Sequence, residues 1–198
     1  MGYSPFSVNN SLEVNLYKQL GINFIFADPK IKKTDSKVIK QPPNSTPLFF
    51  KLPSSVRTKL VQQYRPAYSL WIYFEYYQDL LDTRVNPRKE LILKILKALS
   101  WGKQRISFWP LFRFKGREYI KDEALFNEGL KEIQPVYIFC FGQKCFNELL
   151  PEKKFSYTSF QYQDKMLITL PDFNDLLPDN KKLKNLVWNT LLRFSPKH

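Results

Sequence analysis

The sequence has few of the residues on which most enzyme chemistry depends: one histidine, two cysteines and six glycines occur in 198 residues. The histidine is His198, at the end of the chain, so the rest of the sequence supplies no imidazole for general acid–base catalysis. The glycines form no Gly-x-x-x-x-Gly-Lys phosphate loop, no Gly-x-Gly-x-x-Gly motif and no Gly-x-Ser-x-Gly elbow. These absences exclude the motif-defined nucleotide-binding and serine-hydrolase classes, and no cofactor is expected.

Metal ligands are equally scarce. Cys140 and Cys145 have no second cysteine pair or nearby histidine with which to complete the four-ligand set of a structural zinc site. Asp172, Asp175 and Asp179 are spaced by three and four residues, but they precede a predicted helix, where N-capping and compensation of the helix dipole explain them. We therefore expect no metal and two buried thiols.

Long apolar runs are also missing. No stretch of 18 residues lacks a charge, and residues 1–6 have neither the basic nor the apolar region of a signal peptide. The sequence thus predicts a soluble, cytoplasmic protein with no membrane contact.

Aromatic residues and basic charge are abundant instead. The 17 Phe, 11 Tyr and 4 Trp suit one large core, and the net charge of +13 favours polyanions or simply keeps the protein soluble. Basic side chains near aromatic ones can bind single strands by phosphate contact and stacking. The candidate nucleic-acid contacts are Lys30, Lys32, Lys33, Arg113, Lys115 and Arg117.

Three regions follow one another along the chain. Residues 1–29 contain a helical repeat that includes Leu16 and Leu20 and is stopped by Gly21, followed by a short apolar run over residues 22–26. Residues 30–47 are rich in Lys, Pro, Ser and Thr and indicate a flexible basic linker. The first region either docks onto a partner or folds back as an ordinary helix and edge strand.

Residues 48–198 alternate between strand and helix patterns, as in a parallel sheet covered by helices. The predicted strands are 48–52, 68–74, 105–108, 136–141 and 166–170, and the predicted helices are 55–64, 88–99, 123–133, 143–150 and 181–194. We expect an α/β three-layer sandwich with a central, mostly parallel sheet.

Loops beyond the carboxyl ends of such strands carry the working residues, here 75–79, 109–112 and 170–175. Glu75 is the candidate acid of the first loop, although pairing with a nearby Lys or Arg is the simpler expectation. Trp109 begins the second loop, for which core packing is favoured over base stacking or partner binding.

The order of these elements resembles the uracil-DNA glycosylase superfamily: an acid follows the first core strand, Phe141-Gly142 follows a later strand, and Leu170-Pro171-Asp172 precedes a final helix that contains Trp188. Within it, the chain is most similar to the psi subunit family of the bacterial DNA polymerase III clamp-loader assembly. The stretches that carry this likeness are 16–22, 86–99 and 170–192, although the linker and the overall length exceed the family pattern.

This resemblance implies a non-enzymatic adaptor in DNA replication. In that family the N-terminal segment docks onto the clamp-loader ATPase subunit, and the folded body, which has a glycosylase-like fold, binds the chi subunit. By match to the family, the partner-binding residues would be Leu16, Leu20, Gly21, Ile22, Phe24, Ile25 and Phe26.

Two other functions stay open. A base-excision enzyme could use Glu75 to activate water, but Tyr76 and Tyr77 stand where active glycosylases carry Gly and Pro. Leu170 also replaces the histidine that donates a hydrogen bond to the departing base, a contact worth about 2.7–4 kcal/mol in comparable enzymes. The other alternative hypothesis is a basic nucleic-acid-binding protein that acts without partner proteins.

Overall fold

The structure, a computed structural model, describes residues 46–102, 104–177 and 179–196. Its centre is a five-stranded sheet with the order β2-β1-β5-β7-β6, in which β6 alone is antiparallel to its neighbour. The strands of this sheet are β1 (Ser69–Tyr73), β2 (Ile106–Phe108), β5 (Tyr137–Phe141), β6 (Ser159–Tyr162) and β7 (Lys165–Leu170). The predicted α/β class with a mostly parallel sheet is confirmed, and the flanking helices are compatible with a three-layer sandwich.

The middle strands form because they are predominantly apolar on both faces, as a parallel sheet covered by helices requires. Every residue of β1 is buried, as are the last four residues of β5 and of β7. The register pairs Tyr73 with Phe141 and Phe141 with Leu170. The carboxyl ends of β1, β5 and β7 therefore meet at one edge of the sheet.

Seven α-helices lie in the described part of the chain, and none of them is long and apolar enough to cross a membrane. They are α1 (Ser54–Val61), α2 (Tyr76–Leu81), α3 (Pro87–Leu99), α4 (Glu123–Ile133), α5 (Gln143–Leu149), α6 (Phe173–Leu176) and α7 (Lys181–Arg193). Two features fix the start of α3: proline at its first position, and the Asn86 side-chain Oδ1, which accepts from the Lys89 N–H at 2.9 Å. The predicted helices at α1, α3, α4, α5 and α7 are confirmed.

A two-stranded antiparallel hairpin follows β2. It consists of β3 (Phe112–Lys115) and β4 (Glu118–Lys121), and Gly116 adopts a φ of 65° in the turn. Phe112, Phe114 and Tyr119 share its inner face, where ring pairs with Phe74 hold the hairpin against the end of β1.

Two sequence predictions are wrong. Residues 48–52 do not form a strand, because Leu48–Lys51 is a 3₁₀-helix whose first N–H groups point at the Glu128 carboxylate. Phe49 packs onto Tyr64 and Trp109, so tertiary packing replaces the ladder that the apolar run suggested. Residues 75–79 are not a loop either, since all but the first belong to α2.

Candidate functional site

Charged and amide side chains gather where β1, β5 and β7 end. Glu75 and Asp79 come from the start of α2, Arg88 from the first turn of α3, and Asn174 from α6. Residues as far apart in sequence as Glu75 and Asn174 meet here because parallel strands bring their carboxyl ends to the same edge.

Asp79 is the most buried charge of this group, with 5% of its surface exposed. Its two carboxylate oxygens accept hydrogen bonds from Arg88 Nε at 2.9 Å and Arg88 Nη2 at 2.8 Å, a bidentate pair. The Tyr73 hydroxyl and the Asn86 amide each donate a further bond at 2.9 Å. Four donors and a full counter-charge leave Asp79 in a structural role.

Tyr73 is held as a neutral donor. Burial, reinforced by the neighbouring Asp79 carboxylate, raises the pKa of the Tyr73 hydroxyl well above its ordinary value. The Arg88 guanidinium also lies 5.8 Å from the Tyr73 ring centroid, within range of a cation–π contact.

Glu75 is the one carboxylate of the group with an unused oxygen. Its Oε1 accepts from Asn174 Nδ2 at 2.8 Å and lies 3.8 Å from Arg88 Nη1. Its Oε2 is buried and has no hydrogen-bond partner among the described residues. The expected pairing of Glu75 with a basic side chain is confirmed, and that cation is Arg88, which Asp79 shares.

The third loop, residues 170–175, contributes Asp172 next to this group of side chains. Asp172 caps α6, a helix that was not predicted, by accepting from the Asn174 N–H at 2.8 Å. It does not cap the predicted final helix, α7, because Asn180 holds that position and accepts from the Leu183 N–H at 3.2 Å. Burial raises the pKa of the Asp172 carboxyl, the Asn174 N–H opposes this shift, and the Glu75 charge adds to it. Gly142 is required beside it, because its φ is +90° and a side chain there would collide with the Asp172 carboxylate.

Asp175 and Asp179 do not join this cap. Asp179 instead pairs with Lys184 at 3.1 Å on the surface. Within the described residues, no three histidine, cysteine or acidic side chains are arranged to hold a metal ion.

A polar cleft of about 510 Å³ opens in front of Glu75. The Phe74 and Tyr119 rings pack at 4.3 Å between centroids with a tilt of 38°, and the Lys144 ammonium lies 4.6 Å from the Phe74 centroid. Sequence reasoning missed Arg88, Lys144 and Tyr119. For Arg88 the only local signal was its place just after the predicted helix start at Asn86-Pro87.

The position expected to carry a donor in a glycosylase is apolar and closed. The Leu170 side chain is fully buried at the end of β7, and its backbone carbonyl accepts from the Gly142 N–H at 2.9 Å. Tyr76 and Tyr77 are buried as well, at 7% and 4% exposure, so their rings fill space beside the strand ends. The arrangement can therefore balance charge and pack rings, and Leu170 itself contributes no side-chain donor.

Trp109 and the two cysteines belong to the core. Trp109 is fully buried and its Nε1–H donates to the Leu125 carbonyl at 2.8 Å, which confirms core packing for the second loop. Cys140 and Cys145 are free and buried as expected, and burial raises the pKa of the Cys145 thiol well above its ordinary value.

The candidate nucleic-acid contacts of the described region lie on the hairpin. Arg113, Lys115 and Arg117 are exposed, and Arg113 is bound to Asp122. The other nucleic-acid candidates, Lys30, Lys32 and Lys33, lie outside the described residues. So do the predicted partner-binding residues, which are Leu16, Leu20, Gly21, Ile22, Phe24, Ile25 and Phe26.

Comparison with protein-family models finds no match to this chain, and comparison with curated proteins finds no similar sequence. The geometry at the strand ends therefore carries the functional proposal.

Proposed function

We propose that this chain is a non-enzymatic adaptor of DNA replication that resembles the psi subunit of DNA polymerase III. In this proposal residues 1–29 dock onto the clamp-loader ATPase subunit, residues 30–47 act as a linker, and the body has a uracil-DNA glycosylase-like fold without its chemistry. The body offers a second surface, to which a chi-like subunit would bind.

The observation that supports it is the buried ion pair at the edge of the sheet. In an α/β sheet the catalytic groups lie beyond the carboxyl ends of the strands. Here the ion pair between Asp79 and Arg88 occupies that place, and it is buried and hydrogen-bonded through both carboxylate oxygens. A buried carboxylate in such an ion pair stabilises the fold, because removing either partner leaves the other charge poorly compensated.

The second support is Leu170. Base excision needs a donor that stabilises the departing base anion, and an oxyanion-type contact of this kind contributes about 2.7–4 kcal/mol where it has been removed. A fully buried leucine at that strand end provides none of it. Glu75 alone, already bonded to Asn174, does not replace the missing contact.

The test is binding of the purified chain, full-length and lacking residues 1–29, to the clamp-loader ATPase subunit from the same organism. We expect micromolar or tighter binding by the full chain and none by the truncated chain. Ile22→Asp in the full chain should weaken binding at least tenfold, because it places a charge in the apolar docking segment, whereas the matched change Asn9→Asp should leave it intact.

Equal binding by both forms would refute the docking role of residues 1–29. Release of free uracil from uracil-containing DNA, lost in Glu75→Gln, would replace the adaptor with a base-excision enzyme. The same assay on Asp164→Asn, an exposed carboxylate far along the chain, provides the control.

A further inference from the structure

An apolar groove of about 310 Å³ lies between α3, α6 and α7. Leu91, Ile95 and Ala98 line it from α3, Leu176 from α6, and Val187 and Trp188 from α7. The three α3 residues are spaced by four and three, so they form one stripe along that helix.

The described residues cover this stripe incompletely. Of the thirteen residues of α3, only Ile92 and Leu99 are buried, whereas Leu91 and Ile95 are half-buried and Ala98 is exposed. The helical repeat of α3 therefore contains more apolar surface than the body of the protein uses.

Trp188 gives the groove an anchor. The other three of the four tryptophans, Trp71, Trp101 and Trp109, are buried, while Trp188 is half-buried and lines the groove. Partly exposed tryptophans in apolar pockets are the side chains that most often dominate the energy of protein–protein contacts.

The charges at the groove have one sign. Lys94 and Lys184 both line it, and among the described residues no carboxylate does. Lys184 pairs with Asp179 at 3.1 Å, but the Asp179 side chain is 76% exposed, so this surface pair is weak and a partner carboxylate can displace it.

We propose that this groove binds an apolar segment of a partner protein that carries acidic side chains on its flanks. The apolar residues of that segment would cover Leu91, Ile95 and Trp188, and its carboxylates would meet Lys94 and Lys184. The inference rests on the proposed adaptor function, for which it locates the second docking surface on the body.

Net charge distinguishes an acidic partner from the two other candidates for this groove, a second copy of the chain and residues 1–45. A second copy of this chain brings another net charge of +13. Residues 1–45 carry six lysines against three acids, so this segment is basic as well. An acidic partner is the occupant that complements two rim lysines.

The experiment uses the full chain and two synthetic helical peptides of equal length. One peptide has two leucines four residues apart with glutamates on either side, and the control peptide has lysine in place of each glutamate. Titration is followed by tryptophan emission and by calorimetry. We expect micromolar binding of the acidic peptide with a shift in emission, and at least about tenfold weaker binding of the basic peptide.

The double variant Lys94→Glu, Lys184→Glu should invert this preference, and Lys131→Glu on the exposed side of α4 should not change it. Equal affinity for both peptides, no binding of either, or an unaltered preference in the double variant would overturn the proposal. A dimer in sedimentation that is lost in the double variant would assign the groove to a second copy instead.

Acrylamide quenching of tryptophan emission shows whether Trp188 is accessible in the free, monomeric chain. If acrylamide does not quench Trp188, a segment of this chain covers the groove, and the proposal is overturned. Shielding is measured as the quenching that Trp188→Phe removes, because the other tryptophans are buried. None of these outcomes depends on the clamp-loader assay, so failure of the groove and failure of residues 1–29 are separately visible.

Discussion

Asp79 illustrates how single side chains hold the carboxyl edge of the sheet together. It is joined to β1 through Tyr73, to the start of α3 through Asn86, and to the first turn of α3 through Arg88. Arg88 in turn donates to the Asn174 side-chain carbonyl at 3.2 Å, which links α3 to α6. One carboxylate thus sets the relative position of three elements.

Replacing this carboxylate tests its structural role. Asp79→Asn keeps the shape but removes the bidentate counter-charge of the Arg88 guanidinium, whose side chain is 14% exposed, and leaves only the Glu75 carboxylate at 3.8 Å. We expect the free energy of unfolding to fall by about 3–5 kcal/mol, measured by urea denaturation at pH 7. Asp164→Asn, the same chemical change at an exposed ion pair with Lys165, should have a far smaller effect. Similar losses in the two variants would contradict the role assigned to Asp79.

Among the elements, α4 shows why one glycine matters in a helix interior. The Gly129 Cα faces the indole of Trp109, which is fully buried and fixed by its bond to the Leu125 carbonyl. A methyl group on Gly129 would overlap the indole ring. The close approach of α4 to the second loop therefore depends on the absence of a side chain.

The variant Gly129→Ala tests whether the close packing of α4 on Trp109 contributes to stability. Alanine gains about 1 kcal/mol of helix propensity, but overpacking a buried ring costs about 1–3 kcal/mol or more. Since the indole cannot move without losing its hydrogen bond, we expect net destabilisation, seen as a lower midpoint in thermal unfolding. Asn127→Ala, at an exposed site of the same helix, should be neutral or slightly stabilising. A more stable Gly129→Ala would mean that Trp109 repacks freely.

For the molecule as a whole, the dominant property outside the core is its charge of +13. In the described region, the β3–β4 hairpin carries three exposed cations, Arg113, Lys115 and Arg117. Asp122 pairs with Arg113, and Glu118 lies opposite Lys115 in the register. Such a field favours weak, sequence-independent contact with polyanions rather than a specific site.

Salt dependence tests this contact. If these three cations each meet a phosphate of a single strand, the logarithm of the binding constant for oligo-dT should fall against log salt with a slope of about −2. Between 50 and 200 mM salt the affinity should drop about 20-fold on that slope. Lys115→Gln with Arg117→Gln should lower the slope, and Lys181→Gln with Lys182→Gln serves as the control. Binding that ignores salt would contradict a phosphate-based contact.

Much of the fold was predictable because its signals are local. β1, β5 and β7 are predominantly apolar runs, α3 begins at Asn86-Pro87, and α4 has the predicted bounds 123–133. In each of these cases residues within a few positions of one another supply both the cause and the signal.

Tertiary structure decided what depends on distant partners. The apolar run at residues 48–52 became a 3₁₀-helix because Glu128 takes its N–H groups, and the short strand β6 forms only by pairing with β7. Glu75 could be singled out in sequence as a strand-end acid, but its neighbours Arg88 and Asn174 are separated from it by 13 and 99 positions. Composition and periodicity specify which segments are strands and helices, whereas the side chains that meet at the sheet edge are set by strand order and register, which no local pattern encodes.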